Sequence, residues 1–497
     1  MNLSLNTRRT GKRHMNTLKQ QWFGNIRGDV LAGITVALAL IPEAIAFSII
    51  AGVDPMVGLY ASITIAIVIS IAGGRPGMIS AATGAMAVLM VGLVKDYGVE
   101  YLFAATILTG IIQFILGIFK VGRFITFVPH SVLTGFVNAL AILIFMAQLT
   151  HFTGANWIMY AMVAGTLAII YILPRFFKSV PAPLIAIVIM TIITALLHLD
   201  VKTVGDMGNL TSTLPMFHLP NIDWSFNTLL ILLPYSFTMA LVGLLESLLT
   251  ATIVDEMTET KSSKNREVRG QGIANFVNGL FGGMGGCAMI GQSVINVKSG
   301  GRGRLSTFTA GAFLAILLLL LSGVVKDVPM GALVGVMFMV CIGTFDWSSI
   351  KNIARVPRAE AIVMIVTVAI VVYTHDLSIG VLVGVVLSVL HFGWKQTKIR
   401  VQANEDQGRK VYRVHGPFFF GSSSRFVDEF NAEADPQEIT IDFGGSHIWD
   451  NTAVVAIGKV KFKYAKLGKT VHLRGLNEES SRLLEKSGFA TVQGHSS

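Results

Sequence analysis

Apolar runs close to 20 residues long recur along the first 400 positions, divided by short polar or charged breaks, and the last hundred positions lose that pattern. A bilayer core about 30 Å thick takes roughly 20 apolar residues as helix. On that measure spans are predicted near residues 30–50, 55–72, 78–94, 101–119, 125–150, 155–173, 180–198, 228–254, 270–284, 288–299, 303–324, 329–344, 358–374 and 377–394. The tail alternates strand-like runs (411–414, 438–443, 469–474) with helix-like stretches (422–433, 451–465, 478–487), which predicts an α/β domain. The expected organisation is an N-terminal segment (1–29), an α-helical polytopic membrane domain of about 14 spans (30–394) and a C-terminal α/β domain (401–497).

Two predicted spans differ from the rest. Residues 78–94 follow Gly73-Gly74-Arg75-Pro76-Gly77 and contain Ser80, Thr83 and Gly84; residues 288–299 follow Gly282-Gly283-Met284-Gly285-Gly286 and contain Gly291, Gln292, Ser293 and Asn296. Both are too short or too broken to cross as ordinary helices. They stand third in the first seven spans and third in the second seven, the placement of an inverted-repeat transporter whose half-helix N-termini face an anion near the midplane. Glycines that only allow close helix packing are the simpler alternative.

Composition supports the membrane reading: 53% of residues are hydrophobic and 14% charged, against roughly 25% charged in an ordinary soluble domain. The tail from 401 holds 12 Lys and Arg against 12 Asp and Glu, so the net charge of +10 belongs to the membrane part. No basic stripe interleaved with aromatics accompanies it, so nucleic acid is not an expected partner; the lipid bilayer is. With the N-terminus inside, the inner loops collect 24 positive residues, among them Arg8, Arg9, Lys12, Arg13, Arg123, Lys178 and Lys398, while the outer loops collect three, Lys95, Lys202 and Lys326, beside acids that include Asp376. That split predicts a multi-pass inner-membrane protein with both termini cytoplasmic. The two cysteines, Cys287 and Cys341, sit in apolar surroundings and offer neither a disulfide framework nor a zinc site. No cleavable secretory signal is expected at the N-terminus.

Of 17 acidic residues before position 401, only Glu43 and Glu246 fall well inside apolar spans. Each costs about 2.5 to 3.5 kcal/mol at a helix centre, which makes function the default reading. Pro42 beside Glu43 frees a backbone carbonyl, and Thr250 lies one turn after Glu246. A carboxylate that alternates between protonated and ionised as access alternates suits proton coupling. One that stays ionised beside Ser247 and Thr250 suits a sodium ion. A permanently protonated acid in an interhelical hydrogen bond is the plain alternative. His130, His375 and His391 read as satisfied or interfacial groups. No catalytic constellation, metal pattern or phosphate loop is present, so no enzyme activity, metal or cofactor beyond the coupling ion is expected.

The run Pro42-Glu43-Ala44 through Pro55-Met56-Val57-Gly58-Leu59-Tyr60 resembles the first-span signature of the sulfate permease (SulP) family of anion transporters, relatives of prestin and pendrin. The likeness continues through Ser80-Ala81-Ala82-Thr83-Gly84-Ala85, Ile290-Gly291-Gln292-Ser293 and Lys298-Ser299-Gly300-Gly301-Arg302, and the tail from Val411 resembles that family's STAS domain. The resemblance implies a seven-plus-seven inverted repeat, a core (spans 1–4 and 8–11) moving against a gate (spans 5–7 and 12–14), and a homodimer. It places the anion among Glu43, Ala82, Thr83, Gly84, Glu246, Gly291, Gln292 and Ser293. Three positions depart from the pattern: the family often has Gln where Glu43 stands, Gly-Pro of span 3 is Gly84-Ala85, and an Arg of the prestin branch corresponds to Gln292. Without that fixed charge, anion attraction rests more on helix N-termini and backbone amides. The STAS loop Asp-Ser-Ser-Gly, which carries phosphorylation in anti-sigma-factor antagonists, reads Asp450-Asn451-Thr452-Ala453 here, a departure that argues against a phosphoswitch although Thr452 keeps a hydroxyl.

The expected function is secondary active transport of a small anion (sulfate, a related oxyanion or a dicarboxylate) by alternating access and proton symport, with Glu246, Glu43 and Thr250 as coupling residues. The alternatives are sodium-coupled bicarbonate transport, an anion channel, and a signalling scaffold whose STAS tail recruits a cytoplasmic partner.

Overall fold

The computed structural model describes residues 18–122, 129–176, 181–207, 213–374, 377–397, 399–406 and 409–487. Arg8, Arg9, Lys12, Arg13, Arg123, Lys178, His375, Asp376 and Lys398 of the charge pattern lie outside them. The chain divides into two compact units that meet at Gly384/Val385.

The first half of the larger unit comprises α1 (Ile26–Ala51), α2 (Pro55–Ala72), β1 (Ser80–Ala82), α3 (Gly84–Tyr97), α4 (Val99–Ile118), α5 (His130–Leu149), α6 (Trp157–Ile172) and α7 (Ala182–Leu197). The second comprises α8 (Phe226–Thr258), α9 (Lys264–Gly279), β2 (Gly286–Ala288), α10 (Ile290–Lys298), α11 (Arg304–Val325), α12 (Met330–Thr344), the short α13 (Trp347–Lys351), α14 (Arg358–Thr374) and the start of α15 (Leu377–Gln396), whose residues from Val385 on belong to the smaller unit. Among the described residues six helices are long and apolar enough to cross a bilayer, the last of them α8, and shorter apolar helices include α7 before it and α12 after it. Their starts follow sequence chemistry: Asp54 accepts from the Met56 amide with Pro55 in the first turn of α2, and Ser225 caps α8 through the Thr228 amide.

Packing pairs repeat under exchange of the halves. Helix α1 packs on α11 as α4 does on α8; α2 on α11 as α4 on α9; α3 on α8 as α10 on α1; and α5 on α14 as α6 on α12. These matched pairs are what a pseudo-twofold relation between the halves requires. The predicted broken spans are each a three-residue strand followed by a helix, and the strands pair antiparallel with Ser80 opposite Ala288, Ala81 opposite Cys287 and Ala82 opposite Gly286.

One predicted span is displaced: the ninth, expected at 270–284, is helical over Lys264–Gly279. The apolar run starts late because the first turn is charged, and the helix ends at Gly279, with Gly282 at a positive φ of 68° in the turn that follows. With that shift Glu267 enters the membrane unit fully buried, as does Asp29 at the start of α1, so Glu43 and Glu246 are not its only internal acids.

The smaller unit carries a sheet in the order β3 (Arg400–Asp406), β4 (Arg409–Phe418), β5 (Glu438–Ile448) and β6 (Thr470–Arg474), antiparallel between β3 and β4 and parallel beyond. Helices α16 (Ser423–Asp428), α17 (Asn451–Ala465) and α18 (Glu478–Lys486) accompany it. Val414, Phe418, Phe426, Phe443, Ile457 and Tyr464 belong to one buried core. Strand β3 escaped the pattern reading because it is an edge strand with Gln402, Ala403, Asn404 and Glu405 exposed. The helix expected at 422–433 ends at Asp428, and the carbonyls of Phe430 and Ala432 accept from Lys463 and Lys469 instead.

Candidate functional site

Helix α9 supplies the scaffold. Glu267, Gln271, Asn275 and Asn278 recur at helical spacing on it and are all buried. Glu267 Oε2 accepts from the amides of Gly74 and Arg75 at 2.7 and 2.9 Å, fixing the glycine-rich approach to β1. Gln271 Nε2 donates to Ser80 Oγ at 2.7 Å, and Asn275 both donates to the Gly286 carbonyl and accepts from the Gly286 amide, each at 2.9 Å. One helix thus holds a residue of each strand by side-chain hydrogen bonds. Buried strand ends whose backbone groups lack ladder partners need such bonds.

The strands deliver two helix N-termini. Thr83 caps α3, accepting from the Met86 amide. No side chain caps α10, whose N-cap is Met289, so its first amides offer partial positive charge. Gly84 is required for close approach, since a Cβ there would lie 2.7 Å from Ile144 Cδ1 and 2.9 Å from Phe47 Cε1. Gly291 faces open space instead.

A cavity of about 1000 Å³ lies against these termini, lined by Glu43, Thr83, Gly84, Glu246, Gly291 and Gln292, and by Leu140 and Ile144 of α5 and Met339 and Val340 of α12. Glu43 and Glu246 therefore share one cavity. Glu43 Oε1 accepts from Gln292 Nε2 at 2.8 Å, tying α1 to α10. Glu246 Oε2 accepts from the Cys287 thiol at 2.9 Å, and the same sulfur lies 3.1 Å from Thr83 Oγ1.

Three of the expected site residues stand behind this lining. Ala82 is buried in β1; Ser293 Oγ accepts from the Ile79 amide at 3.0 Å; and Thr250 Oγ1 donates to the Glu246 backbone carbonyl at 2.8 Å rather than to its carboxylate. Cys287 was missed because a thiol counts as apolar in composition; its place at the centre of the strand pairing was not legible. Glu267 could have been found from the Glu-x-x-x-Gln-x-x-x-Asn ladder, which is a polar stripe on a helix next to a glycine-rich break.

The sulfate permease family model matches residues 26–162 and 155–367, and the STAS domain model matches 400–495. The chain belongs to the sulfate permease family. YbaR of Bacillus subtilis, provisionally named a sulfate transporter, is 61% identical to this permease over 471 residues, covering 95% of this chain and 98% of YbaR. The bicarbonate transporter BicA of Picosynechococcus is 27% identical over 518 residues, 93% of this chain and 91% of BicA. Among solved structures, the transmembrane domain of a cyanobacterial BicA superposes with a TM-score of 0.66 at 27% identity, covering 74% of this chain and 98% of that one. The murine anion transporter Slc26a9 in its inward-facing state gives 0.81 at 16% identity, covering 93% and 87%, a likeness of fold. This permease is accordingly an anion transporter of the membrane, not an enzyme, with a STAS domain at its C-terminal end.

Proposed function

We propose that this permease carries sulfate or a related small oxyanion into the cell by alternating access, together with protons. The observation that carries the reading is the placement of Glu43 and Glu246 in one cavity with the N-termini of α3 and α10. Helix termini favour the anion, and the carboxylates hold protons while it passes. Moving a divalent anion inward against about 100 mV costs roughly 4.6 kcal/mol, which two co-transported protons cancel. The similarity to YbaR favours sulfate as cargo.

Sodium fits less well at Glu246. A hard cation takes oxygen ligands, whereas the carboxylate's partner is the Cys287 thiol and the Thr250 hydroxyl is committed to a backbone carbonyl. Bicarbonate is the second cargo reading, favoured by the 27% identity to BicA across nearly the whole chain. The cavity lining reaches His130, Pro181, Lys298 and Asp346 at helix ends bordering the Lys- and Arg-rich loops. The charge rule puts those loops in the cytoplasm, so on this reading the cavity faces the cytoplasmic side.

Radiolabelled sulfate and bicarbonate uptake into proteoliposomes, with imposed proton or sodium gradients, tests the reading. Sulfate accumulation driven by an inward proton gradient is expected. Uptake that ignores protons and follows sodium would overturn it.

A further inference from the structure

Gln292 uses only one end of its amide. It is 2% exposed and lines the cavity, and its Nε2 donates to Glu43 at 2.8 Å, yet its Oε1 is buried without a hydrogen-bond partner. A buried amide oxygen left unpaired is costly. The two ends of a glutamine amide have nearly the same shape and opposite hydrogen-bonding sense, so turning the group over changes its chemistry and not the space it fills.

We propose that Glu43 and Gln292 form a proton-controlled switch, in which Gln292 turns its amide nitrogen to the anion only when Glu43 is protonated. An ionised Glu43 accepts only, so it holds Nε2 and leaves the amide oxygen as the free end. When the Glu43 carboxylate takes a proton from a hydronium ion in the cavity water, one hydronium O–H bond breaks as the carboxyl O–H bond forms, water is left behind, and the group becomes a donor. The amide then rotates about its terminal bond, Oε1 accepts from the Glu43 hydroxyl, and Nε2 with its two hydrogens faces the anion. No other bond is made or broken, and one proton enters with each anion so bound. Gln292 is thereby a specificity-determining residue that reads the charge of Glu43. In a chain with no arginine at this place, it supplies a donor only in the protonated state.

The inference rests on the proton-coupled reading above, but it is separable. Repulsion between the anion and an ionised Glu43 would by itself link binding to pH with no part for Gln292. Among the described residues, the other titratable or charged groups on the cavity are Glu246 of α8, His130 of α5, Lys298 of α10 and Asp346 before α13, with Cys287 of β2 bonded to Glu246. The full chain should therefore be compared with Glu43→Gln and Gln292→Met under identical conditions.

Equilibrium binding of radiolabelled sulfate to purified protein, from acid to alkaline pH, is the measurement. Wild type should gain about tenfold or more in affinity on the acid side, the scale of one hydrogen bond to a charged group. Gln292→Met should lose most of that gain and show a nearly flat profile. A Gln292→Met profile as steep as wild type would overturn the switch and leave proton coupling standing. A flat wild-type profile together with uptake indifferent to a proton gradient would overturn the underlying reading as well. If Gln292→Met does not fold, infrared difference spectra of wild type with isotope-labelled glutamine amides decide. An anion-induced side-chain amide shift that vanishes in Glu43→Gln supports the switch, and its absence in wild type overturns it.

Discussion

Cys287 shows how much one atom can connect. Its thiol bonds Glu246, the carboxylate of α8, and touches the hydroxyl of Thr83, the cap of α3. One sulfur atom thus contacts both groups. Removing a donor to a charged group costs about 1.5 to 3 kcal/mol, so Cys287→Ala should slow proteoliposome uptake by an order of magnitude or more. Cys287→Ser, which keeps an O–H donor, should retain most of the rate; equal loss in both would assign the residue to packing only. Glu246→Gln, neutral at every pH, should abolish accumulation driven by a proton gradient while leaving anion exchange measurable. Accumulation at the wild-type level would remove Glu246 from coupling. The two carboxylates were legible because an acid inside an apolar run is conspicuous. Cys287 was not, since its role comes from lying opposite Ala81 in a pairing that joins residues about two hundred positions apart.

At the level of elements, α9 carries a polar stripe inside the membrane unit and spends it on backbone. Asn275→Leu would strand both the amide and the carbonyl of Gly286. At about 1 to 3 kcal/mol for each buried unpaired group, the variant should lose several degrees of thermal midpoint in detergent and most of its uptake. An unchanged midpoint with normal uptake would mean that β2 is held by other bonds. The periodicity of apolar runs located the helices because burial in lipid and in protein select the same residues. It failed at α9 because a helix whose polar face is satisfied inside the protein looks like a loop to a hydropathy window. The strands were invisible for a different reason: three residues have no period, and their pairing is set by tertiary approach. What the sequence did expose was their setting, two glycine-rich breaks at matching places in each half.

On the scale of the molecule, the STAS unit has its own polar centre. Asp435 is buried, which raises its pKa, but hydrogen bonds from Lys410, Tyr412 and Tyr464 outweigh burial and hold the carboxyl below its ordinary range. A carboxylate held down in the folded state stabilises it fully above the unfolded value of about 3.9, and that contribution is lost as pH falls below it. Exchange protection in β4 and α17, relative to the unfolded chain at the same pH, should therefore fall below about pH 4, and Asp435→Asn should lower it at neutral pH, by about 1 to 3 kcal/mol of local stability. Exchange indifferent to the substitution would show that the surrounding core carries the domain without it. This centre, unlike the alternating β5, left no sequence signal, because Asp435 lies in the connection between α16 and β5 while its partners come from β4 (Lys410 and Tyr412) and α17 (Tyr464). The strand pair between the halves has a consequence of another kind. Because Ser80, Ala81 and Ala82 must meet Ala288, Cys287 and Gly286 in one register, inserting or deleting a single residue in either crossing would slide both polar helix ends against each other. The duplicated halves are free to diverge in composition, but at this point they inherit a shared length.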